Sequence, residues 1–267
     1  MLAGASDTRA VYASAFSVRS IFIKTWFMAP PTLALLHGFL GFSHRGPIEY
    51  FRGVKKALRQ SHIRSIIPEV PPTGTIAERA EALARQLFSS DAPAFALVAH
   101  SMGGLDARHL IAYLDPDRRV KSLLTIATPH RGTPLATWCL ESRSLIPAWI
   151  RHIGRPGLGE LTPEARAAAP IPDRADVAYS SYAGCRHVDE LPYWLRPFAR
   201  RIPRDNDSMV PVDSATWGKF CGILRTDHLE MIGWSLGLPD KRTARPFHHL
   251  DFWTRIATEA IAAAEKR

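Results

Sequence analysis

Residues 95–106 read F-A-L-V-A-H-S-M-G-G-L-D. Residues 95–99 form an apolar run of strand length, and 103–114 carry helical spacing. Between them stands one serine, in Ala99-His100-Ser101-Met102-Gly103. A strand that turns directly into a helix around a serine needs small residues two positions to either side. Ala99 and Gly103 meet that need, with alanine standing where glycine is commoner. Such a turn lifts the Ser101 hydroxyl to a helix start, where free N–H groups favour a developing negative charge.

Working outward, short apolar runs mark further strands at 32–37, 64–68, 120–127, 177–183 and 222–225. Helical spacing marks 48–58 and 252–264. Thr75 and Glu78 have the spacing of a capping box ahead of a helix with Ile76, Ala80, Leu83 and Leu87 on one stripe. Strands alternating with helices imply a mostly parallel sheet with helices on both faces. One stretch, 133–175, is too long for a simple crossover. Its apolar residues, Trp138, Leu140, Leu145, Ile146, Trp149 and Ile150, suggest an inserted helical lid.

A serine hydroxyl needs a base, and the base needs an acid to fix its tautomer. Among the histidines after Ser101, His228 follows a late strand and suits the base. His248 and His249, ahead of the last helix, are the fallback. Asp207, in a polar turn, suits the acid, with Asp205 as the alternative, and the same turn could be a plain Asx turn. Two backbone N–H groups should face a developing oxyanion. One is that of Met102. The other is that of Phe39, in the His37-Gly38-Phe39-Leu40-Gly41 loop after the first strand, which begins 64 residues before Ser101.

The 267 residues suffice for one large domain. Apolar residues make up 46% and charged residues 22%, a globular balance. The net charge of +9 is spread along the chain, without the compact basic block of a nucleic-acid site. Cys139, Cys185 and Cys221 form neither a disulfide framework nor a metal spacing. No apolar run reaches membrane-spanning length. Residues 1–28 are basic, Ser-rich and acid-poor. They read as an N-terminal extension of transit-peptide character, without a secretory signal, ahead of the main domain at 29–267. An intracellular location is the expectation, mitochondrial where the extension acts as a transit peptide.

Together these motifs resemble the bacterial triacylglycerol lipases of the Pseudomonas and Burkholderia type, of the α/β-hydrolase superfamily. The resemblance rests on residues 37–42, Tyr50-Phe51-Arg52-Gly53, the serine turn with 105–109, residues 126–133, Asn206-Asp207-Ser208-Met209-Val210 and His228-Leu229-Glu230. It implies the α/β-hydrolase fold and a Ser101–His228–Asp207 triad working through an acyl-enzyme. It also implies a lid touching lipid surfaces, and a lipid or small-molecule ester as substrate. Those lipases are secreted and hold calcium through an aspartate where this chain has Glu230. No cofactor is therefore expected, with a structural calcium as the exception. An acyl-thioesterase, an acyltransferase and a non-catalytic lipid-binding protein are the competing readings. Nothing in the sequence marks an oligomeric state.

Overall fold

The computed structural model describes residues 29–46, 48–235 and 247–267. The 1–28 extension lies outside them. Six strands form one sheet: β1 (Thr32–Leu36), β2 (Ser65–Ile66), β3 (Phe95–His100), β4 (Val120–Ile126), β5 (Ala178–Gly184) and β6 (Lys219–Leu224). Their spatial order is β2-β1-β3-β4-β5-β6, and every neighbouring pair is parallel. The order reverses beside β1, so the C-terminal ends of β1 and β3 flank the crevice where such sheets bind ligands.

Alternation along the strands sorts the core into two layers. Leu33, Leu35, Ala96 and Val98 face one side with Trp253, Ile256 and Ala260. Ala34, Leu36, Leu97 and Ala99 face the other with Ala80, Leu83, Ala107 and Leu110. The first layer is covered by α1 (Val54–Gln60) and the last helix, α7 (His249–Ala264). The second is covered by α2 (Ile76–Phe88) and α3 (Gly103–His109), which continues as a π-helical turn, Leu110–Leu114. The capping box is formed: the Glu78 N–H donates to Thr75 Oγ1, and the Thr75 N–H to Glu78 Oε2. Ile76, Ala80, Leu83 and Leu87 are all buried.

Two of the boundaries that differ from the sequence reading have a visible cause. The helix expected from Ile48 starts only at Val54. Ile48–Glu49 pairs with His44–Arg45, and Gly53 takes a left-handed φ of 73° with its N–H held by Glu49 Oε2. The last strand starts at Lys219, because its register is set by pairing with β5 from Ser180 onward.

Between β4 and β5 the chain leaves the sheet as helices α4 (Pro134–Glu141), α5 (Leu145–Gly159) and α6 (Pro163–Ala168). Helix α5 bends at Gly154, two residues before Pro156, as an interior proline demands. Gly154 also lets the helix lie on Phe39: a Cβ there would stand 2.3 Å from the phenyl ring. No helix among the described residues is long and apolar enough to cross a membrane.

Candidate active site

Ser101 caps β3 with φ 56°, a left-handed conformation that a side chain disfavours. Backbone bonds hold the turn. The Ser101 N–H donates to the Ile126 carbonyl at 3.0 Å, and the Gly104 N–H to the Ser101 carbonyl at 3.1 Å. The Thr128 hydroxyl donates to that same Ser101 carbonyl at 2.8 Å. Close packing explains the glycines: a Cβ on Gly103 would meet the Leu36 and His37 carbonyl oxygens at 2.8 Å. On Gly38 it would meet Ser101 Cβ at 2.7 Å.

Asp207 and His228 come together from loops after β5 and β6. His228 Nδ1 lies 2.7 Å from Asp207 Oδ2, and both side chains are buried. The other Asp207 oxygen accepts the N–H groups of Met209 and Val210, at 2.9 and 2.7 Å. The Asx turn and the carboxylate–imidazole pair therefore coexist, one oxygen for each. Asn206 braces this loop through the Ala199, Ile202 and Arg204 carbonyls. A neutral His228 that donates Nδ1–H to this carboxylate presents Nε2 as an acceptor. Ser101 and His228 line the same cavity of about 390 Å³.

The alternatives lie elsewhere. Asp205 is exposed. His249 Nε2 bonds the Arg52 carbonyl, and neither it nor His248 lines the cavity. His109 packs edge-on against Tyr113. Phe39 follows Gly38 at the end of β1, and Met102 follows Ser101. Among the described residues, neither backbone N–H donates to a protein acceptor.

Four residues at the site carried no role in the sequence reading. His100 is buried, its ring centroid 4.5 Å from that of His228. Its Nδ1 meets the Tyr50 hydroxyl at 2.8 Å, and that hydroxyl accepts the Gly38 N–H at 3.1 Å. Burial, then the charge at His228, hold His100 well below the usual histidine range, so it stays neutral beside its neighbour. Burial raises Tyr50 to about 12, so it stays a phenol.

Arg79 and Asp106 support the loop after β1 from beneath. Arg79 Nη2 donates to the His37 carbonyl at 2.8 Å, Nη1 to the Pro71 carbonyl at 2.7 Å, and Nε to Asp106 Oδ2 at 2.9 Å. Arg79 is fully buried and Asp106 nearly so. Burial lifts the Asp106 carboxyl to about 6 against the opposing pull of Arg79.

The calcium expectation rests on Glu230, and the residues there do not fit a metal. Arg186 Nη1 lies 2.7 Å from Glu230 Oε2, and the Thr226 hydroxyl donates to that oxygen at 2.7 Å. Asp227 Oδ1 is taken by the N–H groups of Leu229 and Glu230. A guanidinium supplies the positive charge, and among the described residues no group of three or more His, Cys, Asp or Glu side chains gathers to form a hard-cation cage.

Burial lowers His37 to about 4, with Arg79 adding to the effect. An unfolded histidine titrates near 6.5. Below about 6.5 the unfolded chain takes up a proton that the folded one refuses, so stability falls as pH drops from there toward 4. This histidine alone accounts for ~2 kcal/mol by pH 5, and the buried neutral His100 and His130 act in the same direction. The urea midpoint is expected to fall between pH 7 and pH 5, with a shallower fall in His37→Gln. An unchanged midpoint would contradict this.

The comparisons follow this geometry. Residues 82–142, which include the serine turn, match the family described as "PGAP1-like alpha/beta domain". Triacylglycerol lipase 2 of Saccharomyces cerevisiae is 32% identical over 221 residues, covering 72% of this chain and 65% of its own length. A triacylglycerol lipase of Pseudomonas fragi is 29% identical over 108 residues, 39% of this chain and 36% of that protein. The chain thus spans less than two thirds of either relative. Among solved structures, Staphylococcus hyicus lipase aligns with a TM-score of 0.67 at 16% identity, covering 89% of this chain and 97% of that one. A metagenomic carboxyl esterase aligns at 0.65 and 20% identity, covering 89% and 76%. The chain has the α/β-hydrolase fold, and in sequence it is similar to triacylglycerol lipases of yeast and of Pseudomonas fragi.

Proposed function

We propose that this chain is a serine carboxylic-ester hydrolase acting on acyl-lipid esters, with Ser101 as nucleophile, His228 as base and Asp207 as the acid that orients it. The observation that carries the reading is the buried His228–Asp207 pair opening on the same apolar cavity as Ser101. His228 Nε2 takes the Ser101 proton as Oγ attacks the ester carbonyl. The N–H groups of Phe39 and Met102 hold the oxyanion, a contribution of about 3 kcal/mol per donor. His228 then protonates the leaving alcohol, and the same nitrogen activates water to release the acid. Asp207 stabilises the imidazolium at each stage. The neutral His100 ring adds no repulsion.

The cavity supports an acyl chain as the group bound. Phe42, Leu135, Ile150, Phe198, Ile232 and Trp234 line it, and they come from the loop after β1, the insertion and the later loops. The likeness to triacylglycerol lipases supports the same reading. It extends the Pseudomonas-type resemblance only over the shared segment.

The test joins two measurements. A fluorophosphonate probe is expected to label Ser101 and no other serine. On p-nitrophenyl esters of rising length, kcat/KM is expected to climb about fourfold per methylene, each worth ~0.8 kcal/mol, until the cavity is full. Acyl-thioesters of matched length, run alongside, are expected to be slower. No labelling removes the proposal. Labelling with a flat chain-length profile removes its lipid part.

A further inference from the structure

A second cavity, of about 320 Å³, lies against α6. Its walls carry Arg108, Arg131 and Arg166, with His130 and the indole of Trp217. Arg108 and Arg166 are more than nine-tenths buried, as is His130. The charges there are not balanced. Arg108 is paired with Asp173 at 3.1 Å. Arg166 spends its Nε on the Glu160 backbone carbonyl and, among the described residues, has no ion-pair partner. It feels the Glu160 charge through space, and no ion pair forms between the two among the described residues. Arg131 bonds the Asp213 and Thr216 carbonyls, again with no carboxylate among the described residues. Three guanidinium groups therefore face two carboxylates, and only one of those is in contact.

Burying a guanidinium without a counter-charge is costly. A second observation points the same way. His130 Nδ1 is buried and has no hydrogen-bond partner, while Nε2 meets Thr125 Oγ1 at 3.1 Å. The pocket thus holds unspent N–H donors, an unsatisfied ring nitrogen and an excess of positive charge. Its aromatic face is already taken, because Arg108 lies 3.8 Å over Trp217 and His130 stacks on it at 5.1 Å. A flat heterocycle has no face to lie on. A compact oxyanion does fit, and guanidinium forks match phosphate oxygens in pairs.

We propose that this cavity binds the phosphate group of a phosphate monoester, held by Arg166, Arg131 and Arg108. The site bridges two elements. Arg166 belongs to α6, whereas His130 and Arg131 belong to the segment between β4 and α4. A bound phosphate therefore ties the far end of the insertion to its root. The small and apolar wall of Ala167, Ala169, Pro170 and Ile171 accepts the ester's organic part.

The test is thermal denaturation at fixed ionic strength, with chloride replaced stepwise by inorganic phosphate or glycerol 3-phosphate. The midpoint is expected to rise saturably, with half-effect at millimolar concentration or below. Arg166→Gln and Arg131→Gln are each expected to weaken that half-effect at least tenfold. Ser101→Ala is expected to keep it, which separates this site from the ester-cleaving one. Should Arg166→Gln fail to fold, Arg131→Gln carries the comparison, because its side chain is exposed. Flotation with phosphatidic acid vesicles, against phosphatidylcholine alone, separates the sources. Arginine-dependent vesicle binding assigns a lipid head group, and saturation by glycerol 3-phosphate without it assigns a soluble ester. A midpoint that does not move, or one that climbs without saturation and equally in wild type and both variants, overturns the proposal.

Discussion

Ser101→Ala is expected to lower ester turnover about 10⁶-fold, the scale found when a nucleophilic serine is removed, while moving the thermal midpoint by no more than about 3 °C. The two halves have separate physical grounds. The chemical loss follows because nothing else in the cavity can form the acyl bond. Among the described residues, the other polar side chains there are Tyr50, a phenol held to about 12, Cys139, a thiol raised to about 11 by burial, His228, Thr133 and the indole of Trp234. The fold is spared because backbone and Thr128 bonds hold the turn, not the Ser101 hydroxyl. Alanine meets the same φ of 56° at the same cost as serine. Turnover and calorimetry on one preparation test both halves. A folded variant keeping a tenth of the wild-type rate would sink the assignment of Ser101.

Arg79→Met is expected to destabilise the fold by about 3–5 kcal/mol, the cost of leaving one partner of a buried pair alone. It strips Asp106 of its cation and the His37 and Pro71 carbonyls of their donor. Those carbonyls belong to the loops beside Phe39, so the N–H proposed as oxyanion donor should drift as well. The rate is expected to drop more than the folded fraction accounts for. The double variant Arg79→Met/Asp106→Leu should regain much of the stability, because no lone charge is left buried, yet little of the rate. Urea midpoints and kcat per folded molecule, taken on all three proteins, check this. Full recovery of rate in the double variant would reduce Arg79 to a purely structural role.

The two residues of that pair show where sequence reading stopped. Strands were legible because buried parallel strands are continuous apolar runs. Helix α2 was legible because its cap and its stripe agree. Yet Arg79 lies three residues after Ile76 and four before Leu83, on the buried stripe itself, and was passed over. A charge there is itself a signal, since it must find a partner in the core. Asp106 carried the same signal inside the serine turn's own helix. His100 and Tyr50 offered none, because their contact spans 50 positions and depends on how the loop after β1 folds back. Asp207 and His228 were named with alternatives from local sequence. The pattern shared with known lipases narrowed them, because a polar turn by itself does not tell a catalytic carboxylate from a capping one. The start of α1 was misplaced because apolar spacing does not register a left-handed glycine.

The strand order bears on the order of synthesis. No two neighbours in the sheet are joined by a hairpin, so each pairing waits for a long crossover to be made. Ser101 leaves the ribosome with its own strand and helix, but Asp207 and His228, proposed as its acid and base, follow more than a hundred residues later. The closing helix anchors on the middle of the sheet, where Ser122 Oγ donates to the Ala260 carbonyl at 2.7 Å. A nascent chain therefore carries its serine for more than a hundred residues before the side chains proposed to activate it are made.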